Sequence, residues 1–183
     1  MQHNSNSTRI NMKHFATVAL LLAAGVTAYA QPGQVNTTVS GSASSSVVNL
    51  TPGAPASEYQ LAGNGTLGPF TLRVINSSGA PQQNSSCSGA TKLYLPAVSG
   101  AAVFRHENGD LLKGNLTGGS DCIDFVANQA TCVRVFQITG GTGRFNNSHG
   151  GTLTLTMTVA PILSDSSNNP VFFTVTGSVT GSI

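Results

Sequence analysis

The most regular pattern of hydrophobic and polar positions in this chain lies between Thr152 and Val159. Apolar side chains occupy every second position there and threonines fill the rest: Leu153, Leu155, Met157 and Val159 against Thr152, Thr154, Thr156 and Thr158. Because successive side chains of a strand point to opposite faces, this alternation predicts a strand with one buried and one solvated face. Threonine strengthens the prediction, since its branched side chain suits a pleated surface.

Comparable segments recur at intervals of about 8–12 residues, and none has sustained helical periodicity. The segment Val171–Val179 repeats the alternation, whereas Thr131–Ile138 is apolar on both faces and predicts a central or bulged strand. Asn108-Gly109, between two apolar runs, predicts a tight hairpin turn because both residues tolerate positive φ angles. The pattern therefore predicts an all-β protein with a single antiparallel barrel of about eight strands. A β-sandwich is the alternative.

Residues 1–30 have the features of a cleaved signal peptide. Arg9 and Lys13 provide a positive start, an apolar run follows at Phe15–Val26, and the small-x-small sequence ending at Ala30 predicts cleavage before Gln31. A helix made from this run would be roughly 18 Å long, which is too short for a bilayer core. We therefore predict a secreted or periplasmic protein with no stable membrane span after cleavage.

The remaining sequence divides into two parts. Residues 31–56 are rich in Ser, Thr, Gly and Pro, which predicts a flexible lead-in with an edge strand as one alternative. Residues 57–183 carry the alternating segments and are predicted to form the barrel domain.

Charge is sparse, because only 8% of the residues are Asp, Glu, Lys or Arg. After residue 30 the acidic and basic side chains are equal in number, so the formal net charge of +2 comes from the first thirty residues. A neutral chain without a basic cluster has no electrostatic means of binding nucleic acid or anionic lipid.

Three cysteines fit export to an oxidising compartment. If the hairpin between Cys122 and Cys132 is symmetric about Ala127, these two residues face each other, and we predict a disulfide between them. Cys87 would then be left over, although pairings of Cys87 with either of the others stay open.

A glycine-rich turn precedes the most regular strand. It contains Gly140, Gly141, Gly143, Arg144 and Phe145. It lacks the Gly-Lys-Ser/Thr ending of a phosphate-binding loop, and a strand rather than a helix follows it. We expect the glycines to permit a tight crossover, Arg144 to donate to loop carbonyls, and Phe145 to close one end of the barrel.

The sequence ITGGTGRFNNSHGGTLTLT around this turn resembles the GTGRF turn of the allene oxide cyclase and dirigent barrel-like group. It looks closest to uncharacterised exported bacterial relatives that carry the same turn. The resemblance implies an eight-stranded barrel with an apolar interior that accepts a lipid-like or phenolic molecule. It is specific over Ile138–Leu155, and Asn146–Gly150 departs from the small residue and glycine that typical members carry. It identifies no catalytic residue.

Two arginines lie within apolar strands, Arg105 after Val103-Phe104 and Arg134 between two valines. Either they point outward into solvent, or they point inward, pair with an acid such as Asp124 and orient an anionic or phenolic ligand. His106 and His149 lack any metal-ligand spacing, so we predict neither a metal nor a cofactor.

No nucleophile elbow or paired acid–base constellation is evident, so no catalytic residue is assigned. We expect a non-catalytic exported domain that binds a small apolar molecule or an extracellular glycan. The alternatives are a cyclase-like or dirigent-like barrel that guides a reactive lipid or phenolic substrate, and a structural envelope or matrix protein.

Overall fold

The computed structural model describes residues 33–54 and 56–183, and it confirms the predicted all-β barrel. In this part of the chain, eight antiparallel strands follow one another around a closed barrel, and the last pairs with the first. The strands are β1 Gln34–Ser46, β2 Ala56–Gly65, β3 Phe70–Ser78, β4 Lys92–His106, β5 Leu111–Asp124, β6 Gln129–Gly141, β7 Thr152–Ser164 and β8 Pro170–Ser182. Closure leaves no strand edge free to pair with another chain.

Strand β1 occupies half of the segment that the sequence assigned to a flexible lead-in. It pairs with β2 on one side and with β8 on the other, so residues 34–46 belong to the barrel wall. The predicted signal peptide and its cleavage site between Ala30 and Gln31 lie outside the described residues. Among the described residues, no helix is long and apolar enough to cross a membrane.

The core lies inside the barrel, where alternate residues of each strand meet. The alternation in β7 is confirmed, because Leu153, Leu155 and Met157 are at most 1% exposed. The largest fully buried side chains are Arg134, Phe104, Phe136, Leu72, Leu112, Ile138, Leu153, Leu155, Met157, Val175, Val179 and Asn76. Small eight-stranded barrels are filled in this way by side chains, and most of this set is apolar.

A bulge in β5 inverts the direction of the residues that follow it. Leu116 opposes Phe136 of β6, but the next paired residue is Gly118, opposite Val135, so Thr117 is an extra residue. Because side-chain direction alternates along a strand, one extra residue moves all later residues to the other face. This shift brings Asp121 to the buried side of the wall.

The disulfide joins Cys87 to Cys122, so the predicted bond between Cys122 and Cys132 is wrong. The β5–β6 hairpin pairs Cys122 with Thr131, and Cys132 lies one position further along. The hairpin is therefore offset by one residue from the assumed symmetry, and the two cysteines point to opposite faces. Cys132 is a buried free thiol, whereas the disulfide fastens the long β3–β4 connection to β5.

Alternate connections lie at opposite ends of the barrel. We call one end the turn end; it carries the connections 66–69, 107–110 and 142–151. We call the other the apolar end; it carries the connections 47–55, 79–91, 125–128 and 165–169. The predicted Asn108-Gly109 turn is confirmed at the turn end.

Candidate functional site

Arg134 is the centre of a polar cluster inside the barrel. Its side chain on β6 is fully buried, as the inward alternative predicted. Its five N–H groups all reach acceptors: Nε donates to Asn76 Oδ1 (3.0 Å), Nη1 to the carbonyls of Ser120 (3.0 Å) and Val133 (2.9 Å), and Nη2 to Asp121 Oδ1 (2.7 Å) and Tyr59 Oη (3.4 Å). Since a guanidinium has five such donors, no donor is left for a ligand.

Asp121 is the acid that pairs with Arg134. Its second carboxylate oxygen accepts a hydrogen bond of 3.0 Å from Ser78 Oγ on β3. Asp124, the partner suggested by the sequence, instead lies 3.7 Å from Lys92 Nζ and accepts from the backbone of the β5–β6 turn. The backbone N–H groups of that turn are the main cause that lowers the pKa of Asp124. Arg105 lies exposed on the outer wall, so it does not join this cluster.

Two other titratable groups of the cluster are held in their protonated forms. Burial raises the pKa of the Tyr59 hydroxyl, and it likewise raises the pKa of the Cys132 thiol. At neutral pH neither group provides the anion that a general base or a thiolate nucleophile requires. The cluster therefore contains one compensated ion pair surrounded by neutral groups.

Asn76 is the member of the cluster with an unused donor. Its side chain is 1% exposed, and its amide nitrogen Nδ2 has no hydrogen-bond partner in the protein. Its amide oxygen is already occupied by Arg134. A buried amide donor without an acceptor is costly, so Nδ2 is free to bind an oxygen atom. Among the described residues, Ser77 Oγ is the other buried side-chain atom without a hydrogen-bond partner.

The glycine-rich turn closes the turn end of the barrel, as predicted. The Arg144 guanidinium donates to the carbonyl of Leu67 and lies 4.5 Å from the centroid of the Phe145 ring. Phe145 is buried within the core cluster, and the backbone N–H of Arg144 donates to Asp110. That hydrogen bond is the first cause that lowers the pKa of Asp110.

Glycine at position 143 allows this arrangement. Its φ angle is +54°, and a Cβ atom there would overlap the Asp110 carboxylate. Gly140 and Gly141 end strand β6 just before the turn. The residues shared with the family-like motif therefore have structural roles here, and they bring no catalytic group to the interior.

His106 and His149 stand apart from the buried cluster. His106 Nδ1 contacts Asn108 Oδ1 at 2.9 Å, and His149 Nδ1 contacts the carbonyl of Thr139 at 3.2 Å. Within residues 33–54 and 56–183, no group of three His, Cys, Asp or Glu side chains could hold a metal ion.

Most of the large hydrophobic side chains exposed to solvent lie at the apolar end. They are Val47, Val48 and Leu50 on the β1–β2 connection, Phe125 and Val126 on the β5–β6 turn, Ile162 and Leu163 near the end of β7, and Phe172 near the start of β8. Exposed apolar side chains scattered singly are ordinary, but a concentration at one end marks an interaction surface.

Charged residues are more frequent in the connections at the other end of the barrel, the turn end. The four connections of the apolar end contain one charged residue, Asp165, whose carboxylate accepts from Ser167 and Asn169 of its own turn. The three connections of the turn end contain Glu107, Asp110 and Arg144. The barrel is therefore polarised along its axis, with a charged end and an apolar end.

A shallow depression of about 430 Å³ lies on the outer wall over β2, β3 and β4. Ile75, Ala101 and Val103 line it, and Arg73 lies 3.9 Å from Glu58 at its edge. The Arg73 side chain is largely exposed, so the ion pair at the edge is solvated. The floor of the depression is small and apolar.

Two features of this site had no clear signal in the sequence. Asp121 was not identified as the partner of Arg134 because the bulge at Thr117 reverses its side. The apolar end was not identified because its members lie far apart in the chain, on four separate connections and strand ends. Only the closed strand order brings them to one end.

No family model matches the chain, and no curated protein matches it either. The resemblance of Ile138–Leu155 to the allene oxide cyclase and dirigent barrel-like group therefore stays a prediction. The function has to be argued from the geometry of the barrel itself.

Proposed function

We propose that this barrel is a non-catalytic binding domain of an exported protein, and that it binds apolar partners through its apolar end. The observation that carries the proposal is the concentration of exposed hydrophobic side chains there. Phe125, Val126, Ile162 and Leu163 are each at least 60% exposed. Leaving such side chains in water is unfavourable, and covering them with an apolar partner removes that cost.

The buried cluster favours a non-catalytic role. Every N–H of Arg134 is occupied, and Tyr59 and Cys132 are protonated. An anionic ligand would have to displace Asp121 or a backbone carbonyl before it could pair with the guanidinium. Removing a partner from a buried charge is strongly unfavourable, so we assign this cluster to stability.

The filled interior favours binding at the end of the barrel over binding within it. Phe104, Phe136 and Leu155 are among the fully buried side chains that occupy the interior. A small apolar molecule would therefore bind among the connections of the apolar end. An extracellular glycan is less well matched, because sugars need polar groups that converge on their hydroxyls.

A second candidate is a cyclase-like or dirigent-like barrel that guides a reactive lipid or phenolic substrate. The unpartnered Nδ2 of Asn76 favours it, since that donor could bind a substrate oxygen inside the barrel. Stabilisation by phenols or oxygenated lipids that is lost in Asn76→Leu, and not in Phe125→Ser, would support this second function.

The test compares retention of the purified protein on a phenyl-bearing resin at physiological salt. We expect retention of the wild-type protein and its loss in the double variant Phe125→Ser/Val126→Ser. The matched control is Val103→Ser, which removes a hydrophobic side chain that is 37% exposed on the outer wall. Equal retention of the two variants would contradict the proposal, as would binding to polysaccharide alone. Self-assembly of the wild-type protein without a ligand would instead support a structural matrix protein.

A further inference from the structure

The apolar end is suited to one particular kind of partner. Resting on the proposed function, we infer that this end binds the surface of a zwitterionic lipid bilayer, with the apolar side chains of its connections inserted among the lipid headgroups and upper acyl chains.

The strand register places the exposed side chains next to one another. Phe172 of β8 pairs with Ser44 of β1 on one side and with Leu163 of β7 on the other. Val47 and Val48 follow shortly after Ser44 along the chain. The hydrophobic residues of three neighbouring strand ends therefore form one continuous arc.

The arc extends to the β5–β6 turn. Ala130 of β6 pairs with Val159 of β7, and continuing this antiparallel register brings the turn carrying Phe125 and Val126 opposite Ile162 and Leu163. One apolar rim thus runs from the β5–β6 turn, past the end of β7 and the start of β8, to the β1–β2 connection. Because its side chains lie on separate connections and strand ends, this rim can insert into a lipid bilayer at several points simultaneously.

The charges at this end favour an uncharged interface. Asp165 is the single charge on the four connections, and no Lys or Arg lies on them. Binding to anionic lipid draws on clustered basic residues, which are lacking here. Zwitterionic headgroups need no such charge, and the strength of binding to them follows the apolar area that is buried.

An ion pair sets the depth of insertion. Lys92 at the start of β4 and Asp124 at the end of β5 lie 3.7 Å apart where the strands meet the connections. Charged groups are costly in the hydrocarbon region, so this pair has to stay at the level of the headgroups or above it. Phe125 and Val126 lie beyond Asp124, within the part that can enter the bilayer.

A bilayer also fits the polar residues that separate the apolar ones. Asn49, Thr51 and Asn128 lie among the exposed hydrophobic side chains. A second protein would need closely matched packing against this uneven rim, whereas lipid headgroups and their water adapt to it and accept hydrogen bonds. We therefore favour a lipid surface over a second copy of the chain.

The first experiment measures co-sedimentation of the purified protein with phosphatidylcholine vesicles at low and high salt. We expect binding that changes little with salt, and a partition coefficient at least about tenfold lower in Phe125→Ser/Val126→Ser and in Ile162→Ser/Leu163→Ser. Val103→Ser on the outer wall is the control and should bind like the wild-type protein. Circular dichroism and thermal unfolding establish that each variant is folded.

The second experiment uses the fact that the chain contains no tryptophan. Phe125→Trp places a single fluorescent reporter on the rim, and Val103→Trp places one on the outer wall. On addition of phosphatidylcholine vesicles, we expect a blue shift of the emission for the rim reporter and none for the wall reporter.

The outcomes separate this inference from the function on which it rests. Retention on the phenyl resin without binding to phosphatidylcholine vesicles would overturn the bilayer inference and leave the proposed function standing. Binding only to vesicles that contain phosphatidylglycerol, abolished by salt, would also overturn it. A concentration-dependent dimer that is lost in the rim variants would assign the rim to a second copy of the chain.

Discussion

Arg134 and Asp121 form an ion pair inside the barrel, with Nη2 of the guanidinium 2.7 Å from Oδ1 of the carboxylate. The arginine side chain is fully buried and the Asp121 side chain is 10% exposed. Two strands, β6 and β5, supply the partners, and Ser78 on β3 holds the second carboxylate oxygen. Because water cannot compensate either charge there, each partner depends on the other.

We expect Asp121→Ala to lower the free energy of unfolding by about 3–5 kcal/mol, because it leaves a buried guanidinium without its counter-ion. Urea unfolding followed by circular dichroism measures the change. Lys92→Met is the matched control, since it breaks a partly exposed ion pair and should have little effect. A comparable loss of unfolding free energy in the two variants would show that the buried pair contributes no more to stability than the pair of Lys92 and Asp124.

Removing both charges should be less harmful than the separate losses imply. In the double variant Arg134→Met/Asp121→Leu, neither charge is left uncompensated, although Asn76 and Ser78 lose their partners. We therefore expect a smaller destabilisation than the sum of the two single variants. A double-mutant cycle from the same urea data gives the coupling, and simple additivity would contradict a direct interaction.

The glycine-rich turn offers a test with an internal control. Gly143 and Gly150 both have positive φ angles, but only a Cβ at Gly143 would overlap the Asp110 carboxylate, and a Cβ at Gly150 has open space around it. Alanine at Gly150 should cost about 1–2 kcal/mol of backbone strain, and alanine at Gly143 should cost more. Thermal unfolding compares the two variants. Equal losses would mean that Asp110 adapts freely to the new methyl group.

The disulfide can be tested by mass spectrometry of peptides from the non-reduced protein. We expect a cross-linked peptide pair that contains Cys87 and Cys122, and alkylation of Cys132 only after unfolding. Cys87→Ser should lower the free energy of unfolding by about 2–4 kcal/mol, because the bond closes a loop between residues 35 positions apart in the chain. A peptide pair of Cys122 with Cys132 would overturn this pairing.

The sequence predicted the strands well because their evidence is local. The alternation of Leu153, Leu155 and Met157 with threonine follows directly from the two-residue period of a strand, and all three residues are buried. The roles of Arg144 and Phe145 were also predicted, since a glycine-rich turn beside a strand end has few alternatives.

Register and assembly could not be predicted from the sequence. The pairing of Cys122 with Thr131 depends on a one-residue choice in the hairpin, and Asp121 faces inward only because Thr117 is an extra residue. The hydrogen-bonding register between the strands determines both features, and no local sequence pattern indicates that register. The apolar end depends on closure of the barrel, which brings together Phe125, Ile162 and Phe172.

Stability at alkaline pH should depend on the buried thiol. The ordinary pKa of a cysteine thiol is about 9, and burial raises the pKa of Cys132 above it in the folded protein. Above about pH 9 the unfolded chain loses this proton while the folded protein keeps it, so the unfolded state binds fewer protons. The free energy of unfolding is unaffected by this group below that pH, and it falls by up to about 1.4 kcal/mol per pH unit above it.

Tyr59 adds to the same loss at higher pH, because burial raises its pKa above the ordinary 10.0. Cys132→Ala removes only the thiol contribution. Urea unfolding from about pH 8 to about pH 10.5 should therefore show a shallower decline for this variant than for the wild-type protein, even if the variant is less stable at every pH. Parallel declines would mean that the thiol of Cys132 ionises as readily in the folded barrel as in the unfolded chain.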